Sequence, residues 1–134
     1  MKTFPLTIVT PDGLLFEGQA EELIVRTVTG DLGILAGHTN CVAPLGMGLA
    51  TVVSEGQTRY GACIGGMVSV LDGQVKLVPT TFEWSDKIDL NRVKVSELRA
   101  RTILEDRLAK DTDLRLAEAR LKRALVRKRA AEYK

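Results

Sequence analysis

The side chains that could do chemistry are few, and their spacing excludes most reactions. The 134-residue chain has one histidine, His38, and two cysteines, Cys41 and Cys63. No His or Cys pair has metal-ligand spacing and there is no C-x-x-C, so neither a zinc site nor a redox dithiol organises this sequence. Both cysteines lie in apolar surroundings and read as small buried hydrophobes of a reducing compartment. No serine or cysteine has a base at a recognisable motif spacing. His38 lies in a turn-rich stretch, residues 30–44, expected to be a loop, where an exposed contact role suits it better than a catalytic one. Gly65-Gly66 lacks the G-x-x-x-x-G-K pattern and following helix of a phosphate loop, and reads as close sheet packing. Nothing here argues for an enzyme. What remains is basic charge near the C-terminus. Residues 1–84 carry four bases against eight acids, a net of −4, and residues 85–134 carry fifteen bases against nine acids, a net of +6. The basic part requires an anionic partner: nucleic acid, a nucleotide, an acidic protein surface, or the acidic part of the same chain.

The elements that must position these groups divide at the same place. All twelve glycines and all four prolines lie at or before Pro79, and Gly and Pro punctuate turns. The first part must therefore turn often, while the second can run as uninterrupted helix. Short β-branched runs are separated by Thr10-Pro11-Asp12-Gly13, Ser54-Glu55-Gly56-Gln57 and Asp72-Gly73, the last a strong hairpin signal. The spacing predicts an antiparallel β-sandwich or barrel over residues 1–84. Residues 85–134 predict an antiparallel αα-hairpin, giving an α+β chain. Asp89 is positioned to cap the first helix, and Asp111 or Thr112 the second. Val93, Ala100, Leu104 and Leu108 form one apolar stripe, widened by Val95 and Leu98; Leu114, Ala117, Leu121, Ala124 and Leu125 form the other. Acid-first pairs at i,i+4, namely Glu97–Arg101, Asp106–Lys110, Asp111–Arg115 and Glu118–Lys122, support both helices. Several stripe positions are alanine, so the hairpin packs modestly and can dock or detach. The N-terminus lacks a basic-then-apolar leader and no apolar run approaches a membrane span, so a soluble, cytoplasmic chain is expected.

Thr10-Pro11-Asp12-Gly13, then Thr29-Gly30-Asp31-Leu32-Gly33-Ile34-Leu35-Ala36-Gly37-His38, then a β-rich head and a basic glycine-free tail together resemble the epsilon-subunit family of bacterial F-type ATP synthases. The likeness covers the whole chain in length, order and motif. The second element carries most of it, and the sequence departs from the usual pattern at Ala36 and Asn40, where the family commonly has proline. The resemblance implies a β-sandwich that grips the gamma subunit and rests on the c-ring, with Asp31, Leu35 and His38 in the rotor contact loop. It implies a hairpin that folds against the sandwich or extends along gamma. When extended, it would meet the catalytic alpha and beta subunits and inhibit ATP hydrolysis through a basic helix carrying Arg115, Arg120, Lys122, Arg123 and Arg127. It further implies a peripheral subunit on the cytoplasmic face of the bacterial plasma membrane, without membrane insertion, nucleic acid or catalytic residues.

A second resemblance is local. Some members of this family bind ATP on the folded hairpin through an [I/L]-D-x-x-R-A motif and arginines of the second helix. The sequence here reads Ile88-Asp89-Leu90-Asn91-Arg92-Val93, with Val93 in place of alanine. Glu83 matches an acidic position upstream, and Arg123 and Arg127 match the second-helix arginines. The resemblance implies ATP as a regulatory ligand of Glu83, Ile88, Asp89, Arg92, Val93, Arg123 and Arg127. Arginines at i,i+4 share a helix face and can bracket a polyphosphate. The bland alternative is a capping Asp89 paired locally with Arg92, and solvated arginines on a basic helix. Two rival functions remain open: a nucleic-acid binder using the hairpin, disfavoured by nine interleaved acids and the scarcity of stacking aromatics, and a stand-alone ATP sensor.

Overall fold

The computed structural model describes residues 2–133. Eight strands precede two helices: β1 (Phe4–Thr10), β2 (Gly13–Ala20), β3 (Glu22–Thr27), β4 (Gly30–Leu35), β5 (Cys41–Pro44), β6 (Met47–Ser54), β7 (Gln57–Leu71), β8 (Gln74–Trp84), α1 (Leu90–Glu105) and α2 (Asp111–Ala131). A single 3-10 turn, Ser85–Lys87, joins β8 to the helices. The chain is thus an α+β fold, a β-sandwich followed by a helical hairpin.

The tight turns follow from local chemistry. Glu55-Gly56 and Asp72-Gly73 both have positive φ at each residue, as a two-residue hairpin loop demands. The strand order is β2-β1-β8-β7-β6-β3-β4, with β5 also on β7. All pairings are antiparallel except β1 with β8, where Leu6 faces Val75 and Ile8 faces Leu77. The long strand β7 pairs with β6 from Gln57 to Ile64 and with β5 from Met67 to Val70. It changes partner at Gly65-Gly66, both at positive φ. There the strand bends between layers, as sandwich corners do. A Cβ on Gly66 would overlap the Val78 carbonyl oxygen, so the backbones approach as only glycine allows.

Two apolar cores result. The first fills the sandwich with Phe4, Leu6, Ile8, Leu23, Val25, Ile34, Val52, Val68, Val75 and Leu77, and reaches no further along the chain than Trp84. The second joins sandwich to hairpin: Ala62 of β7 meets Ile88, Val93, Ala124, Ala130 and Ala131. Within the hairpin the buried residues of both helices are Val93, Ala100, Ala117, Ala124, Ala130 and Ala131.

Several local expectations are corrected. Residues 30–44 are mostly strand, not loop; register with β3 (Leu23 opposite Ile34, Arg26 opposite Asp31) extends Gly30 to Leu35 as β4, and only residues 36–40 turn. The first helix ends at Glu105, so Leu108 falls in the interhelical link and is 93% exposed. Val95, Leu98 and Leu125 are also exposed, because alanines rather than leucines form the close contacts. Neither Asp111 nor Thr112 caps α2; its N-cap is Lys110, without a side-chain bond, and Asp111 and Asp113 act inside the first turn on the helix dipole. Glu97–Arg101 and Glu118–Lys122 form. Asp106 lies past the end of α1 and accepts from Leu108 N instead. Cys63 is buried, with its thiol pushed up to about 12 by that burial, but Cys41 is only half-buried.

A basic cleft as candidate functional site

The structure gathers arginines where α1, α2 and the sandwich meet. The second helix packs on α1 and also on β6 and β7, which leaves a cleft along one side of the hairpin. It encloses about 600 Å³, within the usual size of a ligand site, and takes Arg92, Ser96, Arg99 and Ile103 from α1 with Arg120 and Arg127 from α2. A side chamber of about 260 Å³ shares Ser96, Arg120 and Arg127, and adds Arg123 together with Ile64, Thr81 and Glu83 of the sandwich.

One ion pair crosses this junction. Arg127 Nη2 donates to Glu83 Oε2 at 3.1 Å, while its Nε stands 2.6 Å from Oε1 but out of line for a hydrogen bond. The pair is partly buried, at 29% and 37% side-chain exposure, and ties α2 to β8. A second tie joins the helices on the other side: Lys128 Nζ lies 3.3 Å from Glu97 Oε2. The hydrogen bond from Arg101, and then Lys128, hold the Glu97 carboxyl below the usual carboxylate range. At the end of α2, Tyr133 packs on Tyr60 of β7, ring centroids 4.6 Å apart.

Of the residues assigned to a nucleotide site, Glu83, Arg92, Arg123 and Arg127 line the cleft or its side chamber. Asp89 sits at the N-terminus of α1, where Oδ1 accepts from Asn91 N at 3.0 Å and Arg92 N at 3.2 Å. It makes no ion pair with Arg92. Ile88 and Val93 are buried in the second core and do not line the cleft, so valine fits there as packing. Sequence reasoning missed Arg99 altogether and gave Arg120 to the inhibitory face only. The signal was present: Arg92, Ser96 and Arg99 fall at i, i+4 and i+7, and Arg120 and Arg127 at i and i+7, one face each. The set Arg115, Arg120, Lys122, Arg123 and Arg127 does not share one face. Lys122 pairs with Glu118 at 3.5 Å, Arg115 is exposed away from the cleft, and the other three line it.

The remaining candidates lie on, or just after, the edge strand β4. Asp31 is exposed and pairs with Arg26 at 3.4 Å. Leu35 ends β4 at 57% exposure. His38 follows in the turn, with Nδ1 2.8 Å from Thr39 O. Among the described residues no cluster of three or more potential metal ligands occurs, and no helix is long and apolar enough to cross a membrane.

Residues 3–85 match the family described as ATP synthase, Delta/Epsilon chain, beta-sandwich domain. Over 127 residues the chain is 42% identical to the ATP synthase epsilon chain of Bacillus pumilus, covering 95% of each. It is 42% identical over 130 residues to that of Bacillus velezensis, covering 95% of this chain and 96% of the relative. It is 37% identical to that of Bacillus mycoides over the full length of both. In fold it matches a chain of the Euglena gracilis mitochondrial ATP synthase, with a TM-score of 0.84 at 23% identity over 98% of this chain and 82% of that one. A chain of the Tetrahymena thermophila mitochondrial ATP synthase central stalk and c-ring structure matches with a TM-score of 0.69 at 12% identity over 97% of each.

Proposed function

The chain belongs to the ATP synthase epsilon-chain family, and we propose that it is a non-catalytic regulatory subunit of the F-type rotor whose hairpin is held down by ATP. The sandwich grips the gamma subunit and rests on the c-ring, with Asp31, Leu35 and His38 at the contact. The hairpin, when extended, reaches the alpha and beta subunits and restrains hydrolysis. The assembly works at the cytoplasmic face of the membrane without this subunit entering it.

The observation that carries the ATP part is the composition of the cleft walls: α1, α2 and the sandwich each contribute, so the site exists only while the hairpin is folded. A ligand of such a site binds one conformer and shifts the population toward it. At a concentration about 100 times its Kd the shift is ~2.7 kcal/mol. The hairpin is secured chiefly by alanine contacts and two partly exposed ion pairs, so a shift of that size decides its position. Arg92 and Arg127 would take phosphates with charge-assisted bonds. Glu83 would be free to accept from the nucleoside once Arg127 turned to the phosphates.

The test is calorimetry with ATP on the isolated subunit, with sedimentation velocity on the same samples. Wild type should bind and become more compact, and Arg92→Ala should weaken binding ~10-fold or more. Asp89→Asn retains the cap and separates its two roles: reduced affinity at unchanged helix stability places Asp89 on the nucleotide, whereas unchanged affinity leaves it a cap. No binding at millimolar ATP, or equal affinity in wild type and Arg92→Ala, sinks the site.

A further inference from the structure

Away from the arginine cleft, a small pocket lies where the end of α2 meets the sandwich. Thr58, Arg59 and Tyr60 of β7, Ser85 and Asp86 of the 3-10 turn, and Tyr133 just beyond α2 line it. It shares no residue with the cleft or its side chamber. Its volume is about 150 Å³, the share of roughly five waters in the liquid. That is below the ~300 Å³ at which sites for larger organic ligands begin, so the occupant it suits is small. Its polar groups are not used by the fold. Ser85 is 3% exposed, and its Oγ is buried without a hydrogen-bond partner among the described residues. A hydroxyl so placed costs stability unless a partner meets it. The Arg59 guanidinium carbon lies 3.7 Å from the centroid of the Trp84 ring, and that ring is itself held edge-on by Phe82 at 4.9 Å and Phe16 at 6.5 Å. A guanidinium stacked by its face is fixed in place while the N–H donors in its plane stay free. Among the described residues neither Arg59 nor Asp86 joins an ion pair. One fixed cation, several hydroxyls and one carboxylate suit a small oxyanion that keeps a proton. The guanidinium and hydroxyls donate to its oxygens, and the carboxylate accepts from its O–H. Orthophosphate is such an ion at neutral pH. Sulfate has the same shape but no proton, and would set its charge against Asp86.

We propose that this pocket binds free orthophosphate and that the ion latches the end of α2 to the sandwich. Tyr133, packed on Tyr60 with ring centroids 4.6 Å apart, is the wall that the hairpin supplies, and undocking removes it. Phosphate therefore binds the folded conformer better and shifts the population toward it. The latch acts at the opposite end of β8 from the turn at Asp72-Gly73, and it holds whether or not ATP occupies the arginine cleft.

The experiment titrates the full chain with phosphate, sulfate and glycerol phosphate at matched ionic strength. It follows calorimetric heat, the emission of Trp84, the sole tryptophan, and amide exchange in α2. Phosphate should bind with a Kd of ~1 mM, change Trp84 emission over the same range and slow exchange at the end of α2. Sulfate should bind ~10-fold or more weakly, and glycerol phosphate more weakly than phosphate. Arg59→Gln should weaken phosphate ~10-fold. Asp86→Asn should weaken phosphate and bring sulfate within ~3-fold of it, a change of preference that a merely structural role would not produce. Ser85→Ala should weaken phosphate without lowering the urea midpoint of the phosphate-free protein, because it removes an unpaired hydroxyl. With Tyr133→Ala, phosphate should no longer slow exchange in α2. Arg115→Gln, exposed outside the pocket, should change nothing. Displacement of phosphate by ATP would place the ion in the arginine cleft and overturn the inference. So would sulfate binding wild type as tightly as phosphate, glycerol phosphate binding more tightly, unchanged affinity in Arg59→Gln, or neither heat nor emission change at ~10 times the expected Kd. A lowered midpoint with unchanged phosphate affinity in Ser85→Ala would assign that hydroxyl to the fold and overturn it as well.

Discussion

At residue 66 the Val78 carbonyl already fills the space a side chain would need, and φ is +93°. Both facts make glycine obligatory where β7 changes partners and the sheet turns its corner. Gly66→Ala should cost ~3 kcal/mol, from backbone strain and overpacking together. A urea midpoint lowered at constant slope would show it; an unchanged midpoint would mean that the corner does not depend on this approach. Asp89 illustrates a different kind of residue, one with two possible roles. Its carboxylate satisfies two orphan donors of α1, worth ~1 kcal/mol as a cap, whether or not a ligand is present. A motif match at such a position is therefore weaker support for binding than the guanidiniums that have no structural work nearby.

Between elements, the two helices hold each other through alanines and through Glu97. Burying Ala100, Ala117 and Ala124 removes little apolar surface per residue, so polar ties matter more here than in the sandwich. Glu97 has a folded-state pKa below its ordinary value, chiefly through Arg101 and then Lys128. A carboxyl lowered on folding contributes stability above its unfolded value, near ~4.3, and that contribution is lost as pH falls through the lower folded value. Acidification below about pH 4 should therefore loosen the hairpin, seen as faster amide exchange in α1 and α2 than in the strands. Glu97→Gln should loosen it already at neutral pH and flatten the acid dependence. The same acid profile in wild type and Glu97→Gln would assign the effect elsewhere.

For the whole molecule, an acidic sandwich and a basic hairpin meet across Glu83–Arg127, a small second core and one tyrosine pair. The apolar core of this junction is smaller than that of the sandwich, and it suits a part that moves. The first core contains nothing beyond Trp84. A chain ending at Lys87 should therefore unfold in a single cooperative transition and still join the rotor, and the complex carrying it should hydrolyse ATP faster than one with the full subunit. A molten fragment would refute the self-sufficient sandwich, and unchanged hydrolysis would remove the inhibitory role of the hairpin.

What the sequence determined by itself was whatever depends on neighbours along the chain. The confinement of Gly and Pro to the first part, the turns at Glu55-Gly56 and Asp72-Gly73, the Asp89 cap and the Glu97–Arg101 and Glu118–Lys122 pairs all follow from backbone preference and contacts within a few residues. The β-sandwich with a helical hairpin was legible on that basis, and so was the family. The tertiary structure decided what depends on distant chain. Register with β3 made a strand of residues 30–35, which their glycines and turn residues argued against. The parallel seam of β1 on β8 joins the two ends of the sandwich. Docking of α2 against β6, β7 and α1 chose which helix faces are buried, exposed Leu98 and Leu125, and turned Arg99 and Arg120 into walls of one cleft with Arg92 and Arg127. Helical periodicity places residues on a face, but only the partner packed against that face determines whether it becomes core, solvent surface or binding site.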